Sequence, residues 1–309
     1  MKNSYIGITD YDWYKFLSGK PGIEELNFWQ PSGSREFKAL RPGEMFLFKL
    51  HSPRNYIVGG GFFAHSSLFP VSIAWEAFGE KNGVGTLEEM RIRIGKYRHE
   101  LVNPQKDYQI GCIILSQPFF FTERDWFPVP DDWSPNIVQG KGYDLAISPG
   151  KELLMQVEHR LQAVHVPIPE TLAENVPKYG TPVEVAPRLG QGTFRMIITD
   201  LYERRCAVTR ERSLPTLDAA HIKPFGKDGT HDIGNGLLLR ADIHRLFDSG
   251  YVTVTPDYHF EVSPRLKADF DNGREYYTIH GREIWVPGDH GSKPNQEALQ
   301  WHNTSVFKG

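Results

Sequence analysis

The chain has 309 residues, 39% hydrophobic and 24% charged, a balance that excludes a disordered polypeptide and leaves material for two cored domains. A formal net charge of −3 does not announce nucleic-acid binding and does not exclude it, because a local basic patch can serve. Two distant cysteines, Cys112 and Cys206, exclude a disulfide framework and a CxxC zinc site, and no apolar run approaches the roughly 18 residues of a membrane span.

The opening segment "MKNSYIGITDYDWYKFL" is aromatic and polar and lacks a signal-peptide core, so a reducing cytoplasm and no membrane partner are expected. Within it, "TDYDWYKFLSG" begins on a Thr9/Asp10 cap signal and stops at Gly19, which predicts a helix. "EMFLFKL", "YIVGGGFFA" and "IGCIILSQPFFF" follow as β-branched and aromatic runs punctuated by glycine and proline, and predict strands of a sheet or small barrel. Between them, "TLEEMRIRIGKYR" starts with a T-x-x-E capping box and predicts a second helix. In "SPGKELLMQVEHRLQAVH", Leu153, Leu154, Val157 and Leu161 recur at helical spacing. The proline-rich stretch after it reads as a linker, with a domain boundary between Ile168 and Arg188. The expected division is therefore a first domain over 1–147, a helix and linker over 148–187, and a second domain over 188–309.

The first domain is rich in aromatics. Most should fill its core, but Phe28 and Trp29 adjoin a Pro-Ser-Gly-Ser turn and Trp75 stands near a glycine-rich segment. Rings beside polar turns suit a pocket that sandwiches an extruded base, a contact worth about 1–3 kcal/mol per base.

The second domain opens with "GTFRMIITDLYERRCAVT", a helix running into a turn, with Cys206 read as a core residue. Strand-like "TLDAAHI" and "GLLLRA", helical "ADIHRLFDSG" and the hairpin "YVTVTPDYHFEVS" come next. His221 then ends the first strand, Asn235 precedes the second, and His244 lies in the helix. A hairpin packed on a helix brings these three side chains together. His231 and His259, in loop and hairpin positions, are read as exposed.

The motifs "AAHI", "NGLLL" and "HRLFDSG", in that order and at that spacing, resemble an HNH endonuclease domain of the ββα-metal fold over about 188–308. The resemblance implies hydrolysis of DNA phosphodiesters with one divalent ion, Mg²⁺ or Mn²⁺. His221 would be the general base, since an imidazole titrates near neutral pH and general-base catalysis contributes about 10²–10⁴-fold. His244 would ligate the ion, and Asn235 would fix the loop and the His221 ring. Many relatives carry a ligand just before the catalytic histidine, where this chain has Ala220. The nearest carboxylate is Asp218, which on a regular strand faces away from His221 and needs a bulge to serve as second ligand. Arg210 departs from a frequent glycine, which puts that turn in question. Asp248 is a candidate support for His244, and Arg240 and Arg245 are candidate phosphate contacts.

Residues 1–145, through "NFWQPSG", "LRPGEMFLFKL", "VGGGFFA", "AWEAFG" and "IGCIIL", resemble the EVE-like branch of the PUA superfamily, a β-barrel with flanking helices. The fold class expected is thus α+β. The two resemblances together imply a modification-dependent restriction endonuclease that flips 5-methylcytosine or 5-hydroxymethylcytosine from double-stranded DNA, working as a homodimer. A non-catalytic reader of modified DNA or RNA with a degenerate nuclease half is the alternative.

Overall fold

The computed structural model describes residues 3–98, 105–164, 189–224 and 230–309, and the chain divides into two compact units, 1–187 and 188–309. The expected linker, including Ile168 and Arg188, lies outside the described residues. Among the described residues, no helix is long and apolar enough to cross a membrane.

In the first unit, β1 (Asn3–Thr9), β2 (Glu25–Gln30), β3 (Met45–Leu50), β4 (Tyr56–Pro70), β5 (Gln109–Phe120) and β7 (Gly140–Asp144) form one mixed sheet in the order β2–β5–β4–β3–β1–β7. The short β6 (Phe127–Pro128) pairs with β4, and β1 runs parallel to β3. Strand β3 shows how the sheet is built. All six of its residues are buried, as in a strand covered on both faces. Alternation sends Phe46 and Phe48 into one core layer and Met45 and Leu47 into the other. Helix α1 (Tyr11–Ser18) supplies Trp13, Tyr14 and Leu17 to the first layer. Helix α4 (Gly150–Val164) supplies Leu153, Val157 and Leu161 to the second. The helix predicted before the linker is therefore a wall of the first unit's core. Helices α2 (Val71–Phe78) and α3 (Leu87–Arg98) lie between β4 and β5 in sequence. The cap signal of α3 is used: the Glu89 N–H donates to Thr86 Oγ1 at 3.1 Å, and the Glu89 carboxylate accepts the N–H of Gly85, one residue before Thr86, at 3.0 Å.

The barrel expectation needs correction. Closure requires the outermost strands to pair with each other. Here the path of pairing ends at β2 on one side and β7 on the other, so the sheet stays open among the described residues.

The second unit begins with α5 (Gln191–Leu201), followed by β8 (Leu217–His221), β9 (Gly236–Arg240) and α6 (Ala241–Asp248). The hairpin β10 (Val252–Val254) and β11 (Phe260–Val262) then leads to α7 (Pro264–Phe270), α8 (Arg274–Tyr277) and α9 (Gln296–Ser305). Leu237, Leu238 and Leu239 of β9 are fully buried, and α6 packs Ile243 and Phe247 into the same core. Cys206 lies in that core too, its Sγ accepting the Arg240 N–H at 3.3 Å. Arg210 holds the left-handed conformation at φ 60°, where glycine is cheapest. Its guanidinium offsets that cost by pairing with Glu203 at 3.0 Å and lying 4.5 Å over the Trp285 ring.

Candidate active site and aromatic cavity

The second unit holds a cavity of about 530 Å³ lined by Arg195, Asp218, His221, His244 and Asp248, among others. Local chemistry explains how they meet. Strands β8 and β9 pair in regular register from Leu217↔Arg240 to His221↔Gly236. Opposite His221, Gly236 has no room for a side chain, since a Cβ there would stand 2.4 Å from Ile198. The missing side chain lets α5 close on the hairpin, and Phe194 of that helix stacks on the His221 ring at 4.1 Å and 11°.

Asn235 is a clamp. Its Oδ1 accepts the Lys223 N–H at 2.9 Å, and its Nδ2 donates to the carbonyls of Lys223 (2.9 Å) and Thr230 (2.8 Å). It thus ties together the two ends of the connection between β8 and β9. Among the described residues it makes no bond to the His221 ring, which corrects that half of the expectation. His231, read from sequence as exposed, is half-buried, with its Nδ1 2.9 Å from His221 Nε2. His259 is exposed, as read.

His244 stands between two carboxylates. Its Nδ1 is 3.3 Å from Asp218 Oδ2, and its Nε2 is 3.4 Å from Asp248 Oδ2, one helical turn on. The bulge foreseen for Asp218 is absent, yet Asp218 and His221 share the cavity. His221 is the last residue of β8, where the ladder ends and the Phe194 stack sets its ring. Arg195 and Arg245 both lower the Asp218 pKa through their fields, and only Arg195 lines the cavity. The Arg240 guanidinium grips Asp242 at 2.6 and 2.7 Å, and Arg240 lies outside the cavity lining.

These contacts polarise the site. Burial, then the fields of His231 and His244, lower the His221 pKa to about 4, so its imidazole is neutral at pH 7. His244 goes the other way. Burial opposes its charge, but the Asp218 hydrogen bond and the fields of Asp248 and Asp218 outweigh burial and raise its pKa. Asp218 is lowered chiefly by the His244 bond, against burial. Burial raises Asp248.

Among the described residues, no group of three or more His, Cys, Asp and Glu side chains is arranged to hold a metal. A hard divalent cation, however, is commonly held by one or two protein ligands, with water and phosphate oxygens completing its shell. The Asp218 carboxylate supplies such an oxygen, and the His244 imidazole, lining the same cavity, adds a nitrogen donor once it is unprotonated.

A second cavity, of about 740 Å³, lies in the first unit. Trp13, Phe28, Trp29 and Tyr97 supply its rings; Asp10, His51, Arg93 and Arg98 are among its polar groups. The two indoles share one acceptor: Trp13 Nε1 and Trp29 Nε1 donate to the Asn82 carbonyl at 3.1 and 2.9 Å. Asn82 is itself fixed, accepting from Asn27 and donating to the carbonyls of Ala74 and Gly79. Gly83, at φ 81°, follows it, and a Cβ there would sit 2.0 Å from Trp13. Phe28 is 7% exposed and packs on Trp13 and Phe48, so it is a core residue that also floors the cavity. Trp75, grouped with Phe28 and Trp29 from sequence, does not line this cavity; it sits half-buried on α2. Asp10 precedes α1 but leaves it uncapped; its carboxylate accepts from the Tyr97 hydroxyl, and His51 Nε2 lies 3.7 Å away.

Residues 206–255, which span the β8–β9–α6 unit, match the family model described as HNH endonuclease, so the second unit carries an HNH endonuclease domain. HNH endonucleases generally use a divalent metal ion. No curated protein matches the chain. Among solved structures, it is similar to the ASCH protein of Zymomonas mobilis (8% identity, TM-score 0.31, covering 49% of this chain and 93% of that one). A single-site mutant of that protein gives 7% identity and a TM-score of 0.33 over 50% of this chain and 95% of that one. A structure described as the modification-dependent TagI restriction endonuclease gives 12% identity and a TM-score of 0.27, over 86% of this chain and 62% of that one. Similarities this weak have no bearing on what the chain does.

Proposed function

We propose that the protein is a divalent-metal-dependent endonuclease that cuts double-stranded DNA carrying modified cytosine, 5-methylcytosine or 5-hydroxymethylcytosine. The observation that carries the nuclease reading is the cavity in which a neutral His221 faces the same space as the Asp218–His244 pair and Arg195.

In this reading His221 takes a proton from water on a ring nitrogen. The water oxygen bonds to phosphorus, the bond from phosphorus to the 3′ oxygen breaks, and that oxygen is protonated by solvent. Arg195, on the cavity wall, neutralises charge on the phosphate. Asp218 and His244 would hold the ion, Mg²⁺ or Mn²⁺, which when bound neutralises charge on the phosphate and the departing oxygen. Asn235 keeps the β8–β9 connection closed so that His221 stays in place.

The first unit's cavity would receive the flipped base between its rings, with Trp29 as the main stacking surface and Phe28 beneath it. Flipping costs a few kcal/mol, which stacking at about 1–3 kcal/mol per base helps to recover. Reading one methyl group by apolar contact gives only about 1–3 kcal/mol, so a homodimer reading two bases would sharpen selectivity. Sedimentation on cleavable DNA tests the dimer, and a monomer there removes it. The protein would act on foreign DNA in the cytoplasm.

The deciding experiment compares matched duplexes carrying cytosine, 5-methylcytosine, 5-hydroxymethylcytosine or glucosylated cytosine, incubated with protein and Mg²⁺ or Mn²⁺. Cleavage of a modified duplex and sparing of the unmodified one is expected. Equal cutting of all four removes the reader role. Binding without cutting under either metal favours a non-catalytic reader.

A further inference from the structure

A histidine that takes a proton from water must present a bare ring nitrogen to it. A neutral imidazole carries its one proton on either Nδ1 or Nε2, and the partner of one nitrogen decides the state of the other. His221 lines the catalytic cavity, whereas His231 does not. The two rings meet through His221 Nε2 and His231 Nδ1 at 2.9 Å, and His221 Nδ1 has no hydrogen-bond partner among the described residues. The Phe194 stack stops the His221 ring from turning over. Only one proton occupies the bond between the two histidines. If His231 donated it, His221 would carry its own proton on Nδ1 and could take none from water.

We infer that His231 is a positioning residue for the proposed cleavage reaction: its Nδ1 accepts the Nε2–H of His221 and holds that ring with Nδ1 bare. The inference rests on the nuclease reading given above. His231 then carries its own proton on Nε2. When water gives its proton to His221 Nδ1, the resulting imidazolium keeps its Nε2–H bond to His231, so the cation forms with an acceptor already in place. The chain builds this pair economically. Asn235 joins Lys223 to Thr230, and His231 is the next residue after Thr230, while His221 stands two before Lys223. The same clamp that closes the loop therefore sets the two imidazoles side by side.

The test uses the full-length protein with His231→Ala and His231→Asn, the latter because an amide oxygen can also accept from Nε2–H. Three readouts are needed: the single-turnover cleavage rate of a 5-methylcytosine duplex with Mg²⁺, the dissociation constant for that duplex in Ca²⁺, and the ring ¹⁵N shifts of His221. The wild-type spectrum should show the Nε2–H tautomer. His231→Ala should slow cleavage by at least about tenfold, with binding within about twofold, because the His221 ring is then no longer held in one tautomer and its imidazolium loses its acceptor. His231→Asn should recover most of the rate. An Nδ1–H tautomer in the wild type overturns the inference, as does an unchanged rate in His231→Ala. A wild-type protein that cuts no duplex sinks the nuclease reading instead, and the ¹⁵N spectrum still decides the tautomer. If His231→Ala fails to fold, His231→Asn and the wild-type spectrum decide alone.

Discussion

The two cavities are made of different material. In the first unit, the rings of Trp13, Phe28, Trp29 and Tyr97 stand among polar groups, and two indoles hang from one carbonyl, that of Asn82. In the second, titratable side chains face one another at 2.9–3.4 Å, and burial and mutual fields shift four of them. Stacking energy accrues with surface, so the first cavity should lose function in graded steps. Charge placement and tautomer act as switches, so the second should lose function abruptly.

The sharpest break is His221→Ala. Cleavage of modified DNA should fall by about 10²–10⁴-fold while binding stays within about twofold, as read by plasmid cutting and gel shift. A variant that cuts at the parental rate ends the assignment. On the aromatic side, Trp29→Ala should weaken binding of the preferred duplex by about 1–3 kcal/mol, roughly 5- to 150-fold in Kd. Unchanged affinity would mean that the cavity does not hold the base.

Acid should weaken the second unit. His302 is 2% exposed, and burial is the main reason its pKa falls to about 4. Its Nδ1 faces the Thr253 hydroxyl at 2.8 Å and its Nε2 the Phe247 carbonyl at 3.0 Å. Between pH 6.5 and 4 the unfolded chain binds the proton and the folded one does not. The stability is therefore complete above about pH 6.5 and drains away as pH falls toward 4, by about 3 kcal/mol for this group. Urea midpoints measured across that range should fall, and His302→Gln should flatten the slope. Asn235→Ala removes three hydrogen bonds and should cost about 1–3 kcal/mol, visible as a lower denaturation midpoint of the second unit alone. The smallest effect belongs to Trp75→Ala. Because that ring is outside the cavity, DNA affinity should stay within about twofold; a large loss would move the reading surface to α2.

Elements whose signal is local are legible in the amino-acid order itself. The β8–β9–α6 succession and the α3 cap follow from patterns within about a dozen residues. The Asn235 clamp is half legible, because its partners lie within the same connection. His231 is misread from sequence because a loop histidine defaults to solvent; its half-burial goes with the Asn235 bond to Thr230 and its own contact with His221. Arg195 shows in sequence only as part of a basic cluster, since nothing short of α5 docking puts it in the cavity. The pairing of Arg240 with Asp242, two residues on, has no signal in the sequence.

Sequence alone marked the elements with local signals, such as β3, α1, α3, α4 and the β8–β9–α6 succession, and put two imidazoles and a carboxamide in one compact unit, because periodicity and turn chemistry act over short distances. Tertiary structure alone decided that the first unit's sheet stays open among the described residues, that Trp13 rather than Trp75 joins Trp29, and that His231 meets His221. Those outcomes turn on close packing between distant segments, such as α5 against Gly236, whose energy no local pattern records.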